Sequence, residues 1–203
     1  MTQQSEPTVR ERRKGSDTRA EIRDVALELF TEQGYEATSM REIAERLGIS
    51  KAALYYHFKS KESIVGGFFD SYLEAIEGVL ERAESQPPSP ERSAALVSEW
   101  LSAVADPGLR LIRFAAMNHA ALRDTGTVDR ERLMGLLDRA ADLVVGPHAP
   151  VRSLLRVRMA FLSIQNAAIA AKNIDVGDEE ILDAAREVAA MLTDGLAPPP
   201  ADS

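Results

Sequence analysis

The chain has 203 residues, of which 45% are hydrophobic and 28% charged, and its formal net charge is −8. This is enough apolar material for one or two cores, but no apolar run approaches the about 18 residues of a membrane span. Because the sequence contains no cysteine, disulfides, thiolate metal sites and a cysteine nucleophile are excluded. Residues 1–16 are polar and lack the apolar stretch of a secretory signal, so we expect a cytoplasmic protein.

The negative charge is unevenly distributed along the chain. Residues 1–62 contain eleven basic and eleven acidic side chains, so the whole negative excess lies in the rest of the sequence. Residues 38–61 and 10–14 each have a local excess of three positive charges. Positive zones attached to an acidic body are typical of a protein that binds nucleic acid at a defined place. We interpret residues 1–16 as a basic, disordered arm, which either contacts a DNA minor groove or is a solvated tail.

The first predicted helix covers residues 18–33. Thr18 and Glu21 have the spacing of a capping box, and Gly34 follows where the helix should end. The apolar residues between them repeat with a helical period. They are Ile22, Val25, Ala26, Leu29 and Phe30.

Residues 38–61 predict two short helices joined by a tight turn. Ser39 and Glu42 form a second capping box, Gly48 suits a turn that needs a positive φ, and Ser50 can cap the next helix. This layout is typical of a helix-turn-helix, whose second helix enters the DNA major groove. The alternative is an ordinary amphipathic hairpin with a solvated polar face.

The second of these helices has a polar, basic outer face. Leu54 and Phe58, four residues apart, should point inward, which leaves the remaining side chains outward. Lys51 can donate to guanine, and the methyl groups of Ala52 and Ala53 can contact a thymine methyl. The aromatic and basic residues that follow suit phosphate oxygens. They are Tyr55, His57 and Lys61, and Tyr56 also points outward.

The stretch from Thr18 to about Glu77 closely resembles the DNA-binding domain of TetR/AcrR-type transcriptional regulators. The matching residues are Ala26-Leu27-Glu28-Leu29-Phe30, Gly34-Tyr35, Thr38-Ser39-Met40, Ile43-Ala44, Leu47-Gly48-Ile49-Ser50 and Leu54-Tyr55-Tyr56-His57-Phe58-Lys59-Ser60-Lys61-Glu62. The resemblance implies base contacts from the positions of Arg41, Lys51, Ala52 and Ala53, and phosphate contacts from those of Ser39, Tyr55, His57 and Lys61. Many relatives carry Gly or Pro at the position of Ala52, which stays small here. The full candidate DNA-binding set is Ser39, Arg41, Ser50, Lys51, Ala52, Ala53, Tyr55, Tyr56, His57 and Lys61.

A long fourth helix is predicted to start after Ser60, its N-cap, and to reach about Glu84. Gly66 and Gly67 lie inside it, each at a cost of about 1 kcal/mol relative to Ala. They indicate either close packing against the first helix or a compliant joint. The resemblance implies that this connector helix moves when a ligand binds.

The rest of the chain also predicts helices. Gln86-Pro87-Pro88-Ser89-Pro90 is a break, with Ser89 as N-cap and Pro90 as the first helical residue. We predict further helices at about 90–105, 107–124, 127–145, 150–173 and 178–195. The fold class is therefore all-α, with about nine helices. The predicted domains are a helix-turn-helix domain at 17–62 (motif about 39–58), a ligand-binding and dimerisation domain at 63–196 and a disordered tail at 197–203.

The last two predicted helices are apolar on most faces, so they should be buried on most faces. One face would pack on the core and another on a second copy, in a two-fold four-helix interface. The alternative is a central buried helix in a monomer. The candidate interface residues are Leu154, Leu155, Phe161, Leu162, Ala168, Ile181, Ala185, Val188 and Leu192.

The same domain has large apolar and amide side chains that could line a pocket for a small molecule. Ordinary core packing explains most of them equally well, and the amides are the informative members because buried polar groups need partners. The candidates are Phe68, Tyr72, Trp100, Phe114, Met117, Asn118, Phe161 and Gln165.

Enzyme motifs are absent from the sequence: it has no Gly-x-Ser-x-Gly, His-Glu-x-x-His, Walker or dinucleotide-binding pattern. Its three histidines have no metal-binding spacing, so we expect neither metal nor cofactor. We predict a homodimeric, sequence-specific DNA-binding regulator that reads a pseudo-palindromic duplex and responds to an unknown small molecule. That it represses is implied by the resemblance alone. The alternatives are an architectural DNA-binding protein and a protein-interaction adaptor without small-molecule control.

Overall fold

A computed structural model describes residues 9–105, 109–111, 114, 129–171 and 174–196, with side chains from residue 17 onward. Along these residues the chain is helical and contains no strand, which confirms the all-α prediction. None of the described helices is long and apolar enough to cross a membrane. The helices are α1 (Val9–Glu32), α2 (Met40–Leu47), α3 (Lys51–His57), α4 (Lys61–Glu84), α5 (Pro90–Ala103), α6 (Arg130–Val145), α7 (Val151–Phe161), α8 (Ser163–Ala170) and α9 (Asp178–Thr193).

The chain divides into two compact units, Met1–Phe68 and Phe69–Ser203, so the division falls inside α4. In the first unit, α1, α2, α3 and the start of α4 enclose a small apolar core. Its most buried large side chains are Ile22, Leu27, Phe30, Ile43, Leu54, Phe58 and Ile64. In the second unit, the remainder of α4 and helices α5 to α9 contribute to a larger cluster that includes Trp100 and Phe161.

Helix α1 begins nine residues earlier than the sequence predicted. Thr18 lies inside the helix rather than at its N-cap, and residues 9–16 are helical, so the prediction of a disordered arm is wrong there. The run Val9-Arg-Glu-Arg-Arg-Lys14 consists mostly of good helix formers, and the single Gly15 is tolerated at a cost of about 1 kcal/mol. The C-terminal end agrees with the prediction, because Gly34 follows the helix with φ +93°.

The single helix predicted at 150–173 is two helices, α7 and α8, with a break at Leu162. Leu162 has φ −87° and ψ 1°, and neither Gly nor Pro marks the break in the sequence. Of the helix predicted at 107–124, residues 109–111 and 114 are helical, and the others lie outside the described residues. The tail at 197–203 is also outside them.

Arginine side chains join helix ends in the second unit. Arg92 is buried, and its guanidinium donates to the carbonyls of Gln86 at 3.2 Å and Leu143 at 2.6 Å. These two carbonyls lie just beyond α4 and in the last turn of α6, where backbone acceptors lack partners within the helix. Ser89 and Pro90 begin α5 as predicted, and the Ser89 hydroxyl accepts the Arg92 N–H at 3.0 Å.

Candidate nucleic-acid interface

Helix α2 is capped at both ends by its own sequence. The Ser39 hydroxyl accepts the Glu42 N–H at 3.2 Å, and the Glu42 carboxylate accepts the Ser39 N–H at 2.7 Å, which confirms the capping box. The Ser39 hydroxyl also donates to the Glu42 carboxylate at 2.7 Å. This bond is the main cause of the lowered pKa of Glu42, and the bond from the Ser39 N–H adds to it. Gly48 ends the helix at φ +65°, and its N–H reaches the carbonyls of Ala44 and Glu45. The turn between α2 and α3 is therefore fixed by short-range bonds.

Helix α3 has an inward and an outward face, as its pattern predicted. The Ser50 hydroxyl caps it by accepting the Ala53 N–H at 3.1 Å. Leu54 and Phe58 are buried, and Tyr56 is 80% exposed. Of the candidate DNA-binding residues, those exposed are Ser39, Arg41, Ser50, Lys51, Ala52, Tyr55 and Tyr56, and those half-buried are Ala53, His57 and Lys61.

Arg41 has an acidic partner in the unbound protein. Its Nε lies 2.7 Å from Glu45 Oε1 one helical turn further on, and both side chains are mostly exposed. The hydrogen bond to Glu45 raises the pKa of Arg41. A contact from Arg41 to a base would have to replace this pair. The sequence places Arg41 and Glu45 four residues apart, a spacing typical of ion pairs within a helix, so this pair could have been predicted.

Lys61, predicted to contact phosphate, is engaged in a local network. Its Nζ donates to the Tyr35 carbonyl at 2.7 Å and lies 4.5 Å from the centre of the Tyr35 ring. The Tyr35 hydroxyl donates to Glu62 at 2.9 Å. Burial raises the pKa of Tyr35, and the bond to Glu62 adds to the shift. Lys61 therefore holds the loop after α1 against the start of α4, a role that sequence reasoning missed.

His57 is half-buried at the end of α3. Burial lowers its pKa below the usual 6.5, and the positive charge of Arg19 lowers it further. The Arg19 guanidinium lies 4.8 Å from the centre of the Phe58 ring, so it is close to the end of α3. His57 is therefore neutral at pH 7 in the unbound protein, and it can donate one ring N–H to a phosphate.

The glycine pair in α4 has two different surroundings. A Cβ at Gly67 would lie 3.0 Å from Cε1 of Phe58 and 3.5 Å from Cδ of Arg23. Arg23 also donates to the Gly67 carbonyl at 3.3 Å, which brings α1 and α4 together. The close-packing interpretation therefore holds for Gly67. A Cβ at Gly66 would have no atom within 4 Å, so packing does not explain that glycine.

Helices α2 and α3 form a capped helix-turn-helix whose second helix has an exposed polar face, and a second helical unit follows. This arrangement defines the class of helix-turn-helix transcriptional regulators. Comparison with known proteins specifies the family. The model of the bacterial regulatory proteins of the tetR family matches residues 22–66. The repressor KstR2 of Rhodococcus jostii is 31% identical over 197 residues, which cover 91% of this chain and 93% of that protein. The chain belongs to the TetR family of transcriptional regulators.

Other similar proteins agree with this assignment. The regulator AcrR of Shigella flexneri is 43% identical over 53 residues, 26% of this chain and 25% of that protein. Among solved structures, the transcriptional regulator FadR of Bacillus subtilis, in complex with stearoyl-CoA, has a TM-score of 0.62 at 22% identity. The match covers 87% of this chain and 98% of that one, and it supports the fold. These relatives are transcriptional regulators, in agreement with the prediction that the chain is not an enzyme.

The candidate interface residues in α7 to α9 fall into two groups. Four of them are buried in the core of their own chain and so face away from any partner: Phe161, Ala168, Ile181 and Ala185. Leu154, Leu162 and Leu192 are half-buried, and Leu155 and Val188 are exposed. The same helices expose four further large apolar side chains that sequence reasoning did not select. They are Val151, Met159, Ile169 and Met191.

The candidate ligand-binding residues are also divided. Trp100, Phe114 and Phe161 are buried, and Tyr72 is half-buried, with its pKa raised to about 12 by desolvation. Phe68 is buried within the first unit. Gln165 is exposed, so it does not supply the polar group in an apolar interior that was expected of it. Met117 and Asn118 lie outside the described residues.

Proposed function

We propose that this TetR-family regulator is a sequence-specific repressor that binds a pseudo-palindromic operator as a homodimer and is released by a small molecule. The observation that carries DNA binding is the outward face of α3, where Lys51, Ala52 and Tyr56 are exposed on a helix capped at its start. Small side chains at that end allow the backbone close to the groove floor, and Lys51 can donate to guanine O6 or N7.

The support for a homodimer is an apolar surface on the second unit. Leu155 and Met159 lie one turn apart on α7, and Val188 and Met191 lie one turn apart on α9; each is between 45 and 60% exposed. Soluble proteins seldom leave apolar side chains grouped in this way unless a partner covers them. A two-fold pairing of α7 and α9 would present two α3 helices to half-sites roughly 34–36 Å apart.

The support for effector control is the interior of the second unit. The cluster around Trp100 and Phe161 is aromatic and aliphatic, as small-molecule sites are. A molecule that binds the DNA-incompetent conformation more tightly would shift the population away from DNA. Release thus requires a difference in affinity between two states of the regulator.

The test measures, by gel retardation, how tightly the chain binds a duplex that carries its own promoter region. Lys51→Ala should weaken operator binding by about 5- to 150-fold, which corresponds to about 1–3 kcal/mol for a base contact. His57→Ala should weaken operator and unrelated duplexes alike, because phosphates carry no sequence. Arg130→Ala removes one positive charge from an exposed position on α6 and is the matched control.

Retention of full operator affinity by both Lys51→Ala and His57→Ala would contradict the docking. Absence of any retarded complex at low and high salt would favour the adaptor instead. Binding to every duplex with equal affinity would favour an architectural protein.

A further inference from the structure

The interior of the second unit contains two buried hydrogen-bond donors without an acceptor. Trp100, on α5, is 1% exposed, and Ser163, the first residue of α8, is 3% exposed. Within the described part of the chain, neither the Trp100 indole N–H nor the Ser163 hydroxyl has a hydrogen-bond partner. Buried groups of both kinds are nearly always paired in folded proteins. Both therefore require an explanation.

Other helical hydroxyls of this chain show what Ser163 would ordinarily do. The Thr31 hydroxyl donates to the Leu27 carbonyl at 2.8 Å, and the Thr193 hydroxyl donates to the Ala189 carbonyl at 2.9 Å. Each uses the carbonyl four residues earlier, as Ser and Thr commonly do inside helices. Ser163 is more buried than either, directly follows the break at Leu162, and makes no such bond.

The surroundings of these donors are apolar. The Trp100 and Phe161 rings have their centres 4.5 Å apart with a 46° angle between planes. Phe161 closes α7 and lies two residues before Ser163, on the other side of the Leu162 break. Trp100, Phe161 and Ile164 all belong to one buried cluster. Trp100 therefore packs against the end of α7, and Ser163 begins the next helix two residues further along the chain.

The charged groups in the described part of this unit do not favour an ionic ligand. The other two unpaired donor atoms there are the Nε atoms of Arg92 and Arg158. The Arg92 guanidinium already donates to two helix-end carbonyls, and Arg158 is paired with Asp138 on α6. Two neutral donors in an apolar setting match a neutral acceptor, whereas a carboxylate would require an uncommitted cation.

We propose that Trp100 and Ser163 recognise the carbonyl oxygen of a largely apolar small molecule. The proposal rests on the effector control proposed above and specifies the chemistry of the effector. The indole N–H and the hydroxyl both donate to the oxygen, and the apolar side chains of the cluster contact the carbon skeleton. A bound carbonyl thus satisfies two donors that the unbound protein leaves unpaired.

Because Trp100 is the only tryptophan of the chain, nitrogen-labelled protein gives a single indole N–H signal. We expect 2-octanone or cyclohexyl methyl ketone to move this signal downfield in proportion to occupancy. The matched hydrocarbons, n-octane and ethylcyclohexane, should leave it nearly unchanged. If neither ketone moves the signal up to its limit of solubility, the proposal is wrong.

Variants separate hydrogen bonding from packing. Trp100→Phe and Ser163→Ala should each weaken ketone binding, measured by calorimetry, about threefold to tenfold. Hydrocarbon binding should change less in each variant. In the unbound protein neither substitution removes a hydrogen bond, because the deleted groups have no partner there. Loss of hydrogen bonding should therefore not lower the melting temperature of either variant. Ser93→Ala, at a helical hydroxyl bonded to the Ser89 carbonyl, is the control and should leave ketone binding intact. Equal losses for ketone and hydrocarbon in both variants would overturn the proposal.

The two proposals fail in different ways. Ketone binding is measured without DNA, and operator binding is measured without ketone. Normal operator binding with an unmoved indole signal would reject the carbonyl site alone. A shifted indole signal in a protein that retards no promoter fragment would reject the regulator function and support the site.

Discussion

At the scale of single residues, the predicted DNA-binding side chains differ in how free they are before DNA arrives. Lys51 and Tyr56 are exposed, whereas Arg41 is paired with Glu45 and Lys61 is bonded to the Tyr35 carbonyl. A phosphate or a base must compete with those partners. The unbound interface thus already contains acceptors that compete with DNA for these two cations, and its affinity for DNA depends on them.

Glu45→Gln tests this competition. The change removes the partner of Arg41 and a negative charge from α2, so binding to an unrelated duplex at low salt should strengthen about twofold to fivefold. Fluorescence anisotropy over a range of salt concentrations measures it, and the gain should shrink as salt rises. In an Arg41→Ala background the same change should have a smaller effect. Unchanged or weaker binding of Glu45→Gln would count against the competition.

His57 should make operator binding dependent on pH. In the unbound protein its pKa lies below 6.5 because of burial and the charge of Arg19. A phosphate contact stabilises the protonated ring, so binding takes up a proton and the affinity rises as pH falls from about 7.5 to 5.5. One group limits the change to at most about tenfold per pH unit. Affinity measured across this range should vary less with pH in His57→Gln, and a wild-type affinity that does not vary with pH would exclude protonation of His57 on binding.

At the scale of helices, most caps were predictable, whereas the break at Leu162 and the orientation of the apolar helices were not. Ser39, Ser50 and Ser89 each cap a helix as expected, because a cap depends on residues only three positions apart. The break at Leu162 carries no local signal. The inward position of Ala185 could not be distinguished from an outward one, because an apolar residue in a mostly apolar helix does not indicate which side meets the core.

The glycines of α4 provide a test within one helix. Gly67→Ala should destabilise the protein by about 1–3 kcal/mol, because its Cβ would press on the buried Phe58 ring. Gly66→Ala meets open space and should instead stabilise it by about 1 kcal/mol through helix propensity. Thermal and urea denaturation measure both changes. Opposite signs are required; equal effects would contradict the packing described for Gly67.

Gly66 also allows a test of the compliant joint. Gly78, in the same helix, is the control, because a Cβ there would meet only the end of the Arg82 side chain, at 3.6 Å. Gly66→Ala and Gly78→Ala should give similar gains in stability. If Gly66 serves as a joint, only Gly66→Ala should weaken effector-induced release from the operator. The same response in both variants would assign Gly66 no role in coupling.

At the scale of the whole molecule, the helix-turn-helix and the net negative charge lie in different parts of the chain. Residues 1–62 are neutral overall and contain α3, the proposed recognition helix, whereas the remainder carries the whole net charge of −8. The acidic remainder discourages attachment to DNA outside the reading surface. The exposed apolar side chains of α7 and α9 also lie in this acidic part. Pairing of two chains through these side chains would link two α3 helices.

Val188→Arg tests that pairing. Val188 is 45% exposed, so an arginine there can reach solvent in a monomer, and the fold should survive with its melting temperature little changed. In a dimer the same arginine would be buried without an acidic partner, which is unfavourable enough to separate the copies. Light scattering after gel filtration should therefore change from a dimer to a monomer mass. Operator affinity should fall at least about a hundredfold, because one reading helix alone contacts half the site.

Two further variants decide between loss of pairing and loss of folding. Glu187→Arg places the same residue at the adjacent exposed position of α9 and should remain a dimer that binds the operator. Ala185→Arg inserts a charge into the chain's own core and should unfold the protein. A Val188→Arg protein that stays dimeric would move the interface elsewhere. A wild-type chain that is already a monomer at micromolar concentration would require the two half-sites to assemble the pair on DNA.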